Sequence, residues 1–256
     1  MNSFRPFSIV FFLLLVSAGL GATTAPHNVA RTQHPPRQEA RAAAVPAPES
    51  VFGFKAGADY HLADFEQVTK YFQALAAASP RIKLQNIGPT GYGRQMFIAF
   101  ISSPENIREL DHYRGIVEQL AAGKIDQATA KKLAEEGKAI VWIDGGLHAT
   151  EVAGAQHTPL LAYDLLSENT PEVKRILNNV ILVLCPVINP DGLDMVSHWY
   201  AKNVGTPYEL APMVRLFNRY VGHDNNRDWY MFNQVESRDV AKALYYEWFP
   251  HIIYNQ

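Results

Sequence analysis

The chain has 256 residues, a formal net charge of −2 and a single cysteine, Cys185. The near-neutral balance leaves no electrostatic footprint for a nucleic-acid partner. One cysteine excludes an intramolecular disulfide, so stability must come from a packed core.

The N-terminus comes first in chain order. Ser8–Leu20 is an uncharged apolar run, preceded by one basic residue, Arg5, and followed by the small residues Gly21 and Ala22. That layout reads as a secretory signal peptide over residues 1–22, with an uncleaved anchor as the alternative. The run is shorter than the ~20 residues a membrane-spanning helix needs. The expected location is secreted or periplasmic, with no membrane attachment after cleavage. Residues 23–50 are rich in Ala, Pro, Arg and Gln and read as a disordered linker. Residues 51–256 are long enough for one α/β domain.

Within that domain, Phe65, Val68, Tyr71, Phe72 and Leu75 recur at helical spacing and predict an amphipathic helix over 62–78. Arg81–Ile87 and Gln95–Ile101 flank a glycine-rich segment, Gly88-Pro-Thr-Gly-Tyr-Gly-Arg94, and read as a β-hairpin. Ser103-Pro104-Glu105 combines an N-cap, a proline at the first helical position and an acid, so a helix should run to about Leu120. Asp126–Glu136 reads as a polar helix closed by Gly137. Ala139–Ile143 is a short apolar strand, and Val152–Leu166 a mostly apolar helix that Pro159 should kink. Val180–Val187 is a second apolar strand, followed by a turn at Asp191 and Gly192. Glu236–Phe249 reads as a helix and His251–Tyr254 as a further strand. Strands that alternate with helices and are apolar on both faces imply a mixed, largely parallel sheet flanked by helices. In such sheets ligands gather beyond the carboxyl ends of the strands. His148, Asn189 and whatever follows Gln256 all fall just past a strand end.

His148 and Glu151 stand three apart in the stretch VWIDGGLHATEVAGAQ. An imidazole nitrogen and a carboxylate oxygen are both zinc donors, and a catalytic zinc takes three protein ligands plus water. The plainer reading is a loop histidine and a helix-start acid favoured by the helix dipole. The remaining histidines carry weaker signals. His157 reads as a packed or capping residue and His251 as structural, while His223 and His198 suit supporting roles in loops. Trp199, Tyr200, Trp229 and Tyr230 fit either a cleft wall or core packing.

Three segments, Gly145-Gly-Leu-His-Ala-Thr-Glu151, Asn189-Pro-Asp-Gly192 and Gly222-His-Asp-Asn-Asn-Arg-Asp-Trp229, occur in the order seen in zinc metallocarboxypeptidases of the carboxypeptidase A type. The resemblance covers about Phe52 to Gln256. It implies that His148 and Glu151 are Zn2+ ligands and that Asn226 and Arg227 bind the terminal carboxylate of a peptide. The planar donor fork of Arg227 matches a carboxylate, and Asn226 adds a further hydrogen bond; a surface ion pair is the plainer reading of Arg227.

Two departures stand beside the resemblance. The family's third zinc ligand, a histidine, is expected directly after Gln256, and its catalytic glutamate further on, so no general base is assigned within the chain. Where the family places an arginine that polarises the scissile carbonyl, this chain has Ala201 and Lys202, with Arg215 and Arg219 further along. The resulting expectation is an exported zinc carboxypeptidase-like catalytic domain, truncated at its C-terminus. It would act on peptide or protein C-termini and have little activity as it stands. A zinc amide or acyl hydrolase and a non-catalytic exported binding domain are the alternatives.

Overall fold

The computed structural model describes residues 45–213, 218–219 and 225–256. The signal-peptide reading, most of the linker, Arg215 and His223 lie outside the described residues. Among those described, no helix is long and apolar enough to cross a membrane.

Five strands form one mixed sheet: β1 (Ile82–Pro89), β2 (Gln95–Ile101), β3 (Ala139–Asp144), β4 (Val180–Cys185) and β5 (Ile252–Asn255), in the order β1-β2-β4-β3-β5. β1 pairs antiparallel with β2, and β2 with β4. β3 pairs parallel with both β4 and β5. The helices are α1 (Glu49–Phe52), α2 (Phe65–Ala78), α3 (Pro104–Arg108), α4 (Leu110–Ala122), α5 (Gln127–Glu136), α6 (Val152–Ser167), α7 (Pro171–Asn179), α8 (Pro190–Asn203) and α9 (Val235–Ala241).

The period-2 geometry of strands sorts their side chains into two cores. Phe97, Ala99 and Ile101 of β2 and Leu182 and Leu184 of β4 pack on one face with α2 and α6. Met96, Ile98, Phe100, Ile181 and Val183, from the same strands, pack on the other face. There they meet Leu110 and Val117 of α4, Val240 of α9, and Trp248, whose ring lies 4.4 Å from that of Phe100. The sheet is therefore the middle of three layers.

Local chemistry explains where the elements start and where they depart from expectation. α2 begins in a capping box in which Asp64 and Gln67 exchange hydrogen bonds of 2.8 and 3.1 Å. Helix structure also appears earlier, in α1, ahead of which the Pro46 carbonyl accepts from the Tyr71 hydroxyl at 2.9 Å. The single helix expected from Pro104 to Leu120 is broken at Glu109 (φ −102°, ψ 19°). Buried Asn106 is drawn onto Ser102 Oγ (2.9 Å) and the Leu177 carbonyl (3.1 Å), so the first turn is held by neighbouring elements. The rest re-aims to bury Leu110, Ile116 and Val117. Asp191 and Gly192 lie in the first turn of α8 and not in a loop turn. Asn189 is the cap, accepting from Gly192 N–H at 2.9 Å, and Pro190 holds the first helical position. The helix expected over 236–249 starts as α9 and widens into a π-helical stretch, Lys242–Trp248. Val240, Leu244 and Trp248 recur at fours and share one buried cluster with the sheet. Pro159 lies buried within α6, which continues to Ser167.

Candidate metal centre

The parallel register brings three strand ends together. Asp144 at the end of β3 stands opposite Cys185 of β4 on one side and Asn255 of β5 on the other. β3 leads through residues 145–151 into α6, and β4 through residues 186–189 into α8. His148 lies half-buried in the first of these connections, and its carbonyl accepts from Glu151 N–H at 3.0 Å. Glu151 is exposed at the N-cap position of α6. The two residues line one narrow crevice, walled also by Gly145, Val187, Asn189 and Leu193.

Two glycines make this edge possible. Gly146 has φ +86°, and a Cβ there would lie 2.5 Å from the Gln256 carbonyl oxygen, so a side chain fits neither the backbone nor the space. A Cβ on Gly192 would lie 2.6 Å from that of Ala149. The first turn of α8 thus packs directly on the loop that carries His148.

Sequence reasoning missed Asp144, the buried carboxylate beneath this loop. It accepts from Trp142 Nε1 (2.9 Å), from Gly146 N–H (3.0 Å) and from the Asn255 amide. Burial pushes its pKa upward, and the hydrogen bonds from Trp142, Gly146 and Asn255 oppose that rise. The group ties the β3–α6 connection to the end of β5. An acid placed immediately before a Gly-Gly turn was the only signal for it.

Asn226 and Arg227 sit in a single 3₁₀ turn, Asn225–Arg227. Asn226 Nδ2 is 3.1 Å from His148 Nε2. An amide nitrogen donates, so Nε2 is the acceptor in this arrangement. Arg227 is exposed beside it. The turn is closed from behind by buried Asp228, which accepts from Asn233 and Gln234 N–H groups, each at 2.8 Å.

The other expected residues lie elsewhere. Lys202 and Arg219 line a separate cavity of about 790 Å³ with Arg94, Asp191 and Asp194. Arg219 donates to the Gly91 carbonyl at 2.7 Å. His198 Nε2 is 3.2 Å from Asp64 Oδ2, and His157 Nδ1 is 2.8 Å from the Gln256 amide. His251 Nδ1 accepts from Ile140 N–H at 3.0 Å, linking the start of β5 to β3. Among the described residues no group of three or more His, Cys, Asp or Glu side chains is gathered to hold a metal. His148 and Glu151 are of the donor types zinc takes, and a catalytic site uses three such protein donors.

Residues 68–247 match the zinc carboxypeptidase family model. The chain belongs to the zinc carboxypeptidase family. Among curated relatives, carboxypeptidase 2 of Trichophyton rubrum is 29% identical over 112 residues, covering 44% of this chain and 17% of the relative. Carboxypeptidase A2 of Rattus norvegicus is 28% identical over 95 residues, covering 36% and 21%. An inactive metallocarboxypeptidase of Talaromyces marneffei is 32% identical over 88 residues, covering 32% and 15%. The chain therefore spans about a fifth or less of the length of these relatives. Among solved structures, a metallo-carboxypeptidase from Burkholderia cenocepacia aligns with a TM-score of 0.45 at 18% identity, covering 72% of this chain and 38% of that one. Carboxypeptidase A from Helicoverpa armigera aligns with a TM-score of 0.38 at 20% identity, covering 63% and 33%.

Proposed function

We propose that this chain carries part of the metal and substrate site of a zinc metallocarboxypeptidase that removes C-terminal residues from peptides in a secreted or periplasmic setting. The observation that carries this reading is one crevice lined by both His148 and Glu151, with the Asn226 amide against the His148 ring, inside the family match. His148 and Glu151 would hold the zinc. When bound, zinc supplies a Lewis acid and lowers the pKa of a coordinated water to about 7.

The chain's own residues do the rest. Arg227 offers two parallel N–H groups to a free terminal carboxylate, the feature that separates a C-terminal residue from an internal one. Asn226 would fix the tautomer and orientation of the His148 ring. Turned by 180°, its amide would face Nε2 with oxygen, hold the ring proton there and leave the Nδ1 lone pair to the metal. Asp144 and Gly146 hold the loop that presents His148. A second reading, a non-catalytic exported binding domain, draws its support from the similarity to a relative that is itself named inactive.

The test is a zinc titration of the chain against His148→Ala and Glu151→Ala, together with binding of a blocked dipeptide as the free acid and as its C-terminal amide. Both substitutions should abolish the weak zinc binding expected of two protein ligands. Arg227→Ala should erase the preference for the free acid. Unchanged zinc binding in both variants would overturn the metal assignment, and equal binding of acid and amide by the unmodified chain would overturn the exopeptidase reading.

A further inference from the structure

A second cavity, of about 560 Å³, lies between α6, α8 and the segment 56–62, within the size range of small-ligand sites. It adjoins the candidate metal crevice. Thr150 and Val152, the two chain neighbours of Glu151, both line it, and Val152 lines the crevice as well. Its room comes from small residues, Ala56, Gly57, Ala58 and Ala153, and its walls include Leu160 and Val196.

Among the described residues, no Asp, Glu, Lys or Arg lines this cavity. Three of its polar side chains, Gln156, His61 and His157, are engaged with the protein. Buried Gln156 accepts from Ala63 N–H at 2.9 Å and donates to the Ala63 carbonyl at 3.1 Å. His61 Nδ1 donates to the Asp59 carbonyl at 2.8 Å, and His157 meets the Gln256 amide. A charged group entering would lose hydration and find no ionic partner, which is unfavourable. An apolar or aromatic group would gain in proportion to the area it buries. The cavity that holds Lys202 and Arg219 has the reverse character, with Arg94, Asp191 and Asp194 in its wall.

We infer that this cavity is a side-chain subsite that admits an uncharged apolar or aromatic residue of the peptide bound at the His148–Glu151 centre. That the ligand is a peptide rests on the carboxypeptidase reading, whereas the preference for apolar groups rests on the cavity's lining alone.

The experiment uses the whole chain with isotope-labelled Val and Leu methyl groups. It is titrated separately with N-acetyl-phenylalaninamide, N-acetyl-alaninamide and N-acetyl-aspartamide. The phenylalanine probe should shift the methyl signals of Val152, Leu160 and Val196 and saturate in the millimolar range. The alanine and aspartate probes should leave those signals in place. Ala153→Trp, which fills the cavity, should weaken the response at least tenfold. Val196→Lys, which sets a charge in the wall, should do the same, so one variant suffices if the other fails to fold. No response to the phenylalanine probe, an equal response to the aspartate probe, or a response untouched by both substitutions would overturn the inference. His148→Ala separates the two readings, because it should remove zinc binding and leave probe binding intact. Probe binding in a chain that takes no zinc would leave the subsite standing without the metal assignment.

Discussion

The contact between Asn226 and His148 joins residues 78 positions apart. In metal sites, groups that orient a ligating histidine matter nearly as much as the ligand itself, and their loss costs roughly 10–100-fold in affinity. Asn226→Ala should therefore weaken zinc binding by about that factor, measured by competition with a chromophoric chelator, while Asn226→Asp retains it. Unchanged affinity in the alanine variant would show that the amide does not orient the ring. That His148 and Glu151 share one crevice was legible in the sequence, because a histidine and an acid three apart after an apolar strand fall at one strand end. The sequence suggested Asn226 only as a substrate group. Its place on the histidine depends on how a distant loop folds back, and no local spacing encodes that. Asp144 was invisible for a related reason. An acid at a strand end is ordinarily solvated, and only the sheet brings Trp142, Gly146 and Asn255 around it.

Two features of the elements are open to direct measurement. Arg94, at the end of the β1–β2 turn, reaches α8 through Nη1 to Asp191 (2.8 Å) and Nε to Asp194 (2.6 Å). The Asp191 side chain is 1% exposed and that of Asp194 is 9% exposed. Removing the partner of a buried charge leaves an uncompensated carboxylate, at a cost of about 3–5 kcal/mol. Arg94→Met should show a loss of that size in chemical denaturation, and a change below about 1 kcal/mol would mean the acids are stabilised by their other donors.

On α9, Asp239 is pushed from 3.8 up to about 6, first by burial, which Arg238 and Lys242 oppose and Glu236 reinforces. One of its oxygens is buried without a hydrogen-bond partner. Its folded-state pKa is raised, so between about pH 4 and pH 6 the native protein holds more protons than the unfolded chain. Stability therefore falls as pH rises through that window. Asp239→Asn should flatten the slope and raise stability at pH 7 by on the order of 1 kcal/mol, the shift being discounted for partial exposure. A variant whose melting temperature follows the same pH slope would assign the dependence elsewhere.

The elements themselves were largely legible. α2, the hairpin, β3, β4, α6 and β5 follow from periodicity, caps and turn residues. α7 escaped notice because it buries only Val173 and Leu177, although Thr170 and Pro171 carry a start signal like that of α3. α8 escaped because Asn-Pro-Asp-Gly is turn chemistry and helix-start chemistry at once, and the choice is made by Asn189 capping Gly192.

At the scale of the whole molecule, three layers were predictable from strands that are apolar on both faces. Ile252, Ile253 and Tyr254 are 58%, 48% and 56% exposed on a strand that pairs on one side only, with β3. Exposed apolar edges template pairing with other chains. The chain should self-associate with rising concentration in sedimentation velocity, and Ile253→Lys should suppress this. Equal association by the lysine variant would place the contact elsewhere.

The position of β5 also has a consequence for the order in which the molecule is made. Ile140 of β3 and His251, at the entry to β5, meet across a separation of 111 residues, whereas β1 and β2 pair across one short turn. At about 5–20 residues per second on the ribosome, β3 waits roughly 5–20 s after its own emergence before β5 exists. The hairpin and β4 can assemble during that time, so the nascent sheet grows from its antiparallel side. Pairing of β3 with β5, at the edge that carries the His148 loop, comes after that, and a chaperone that shields β3 would act in that interval.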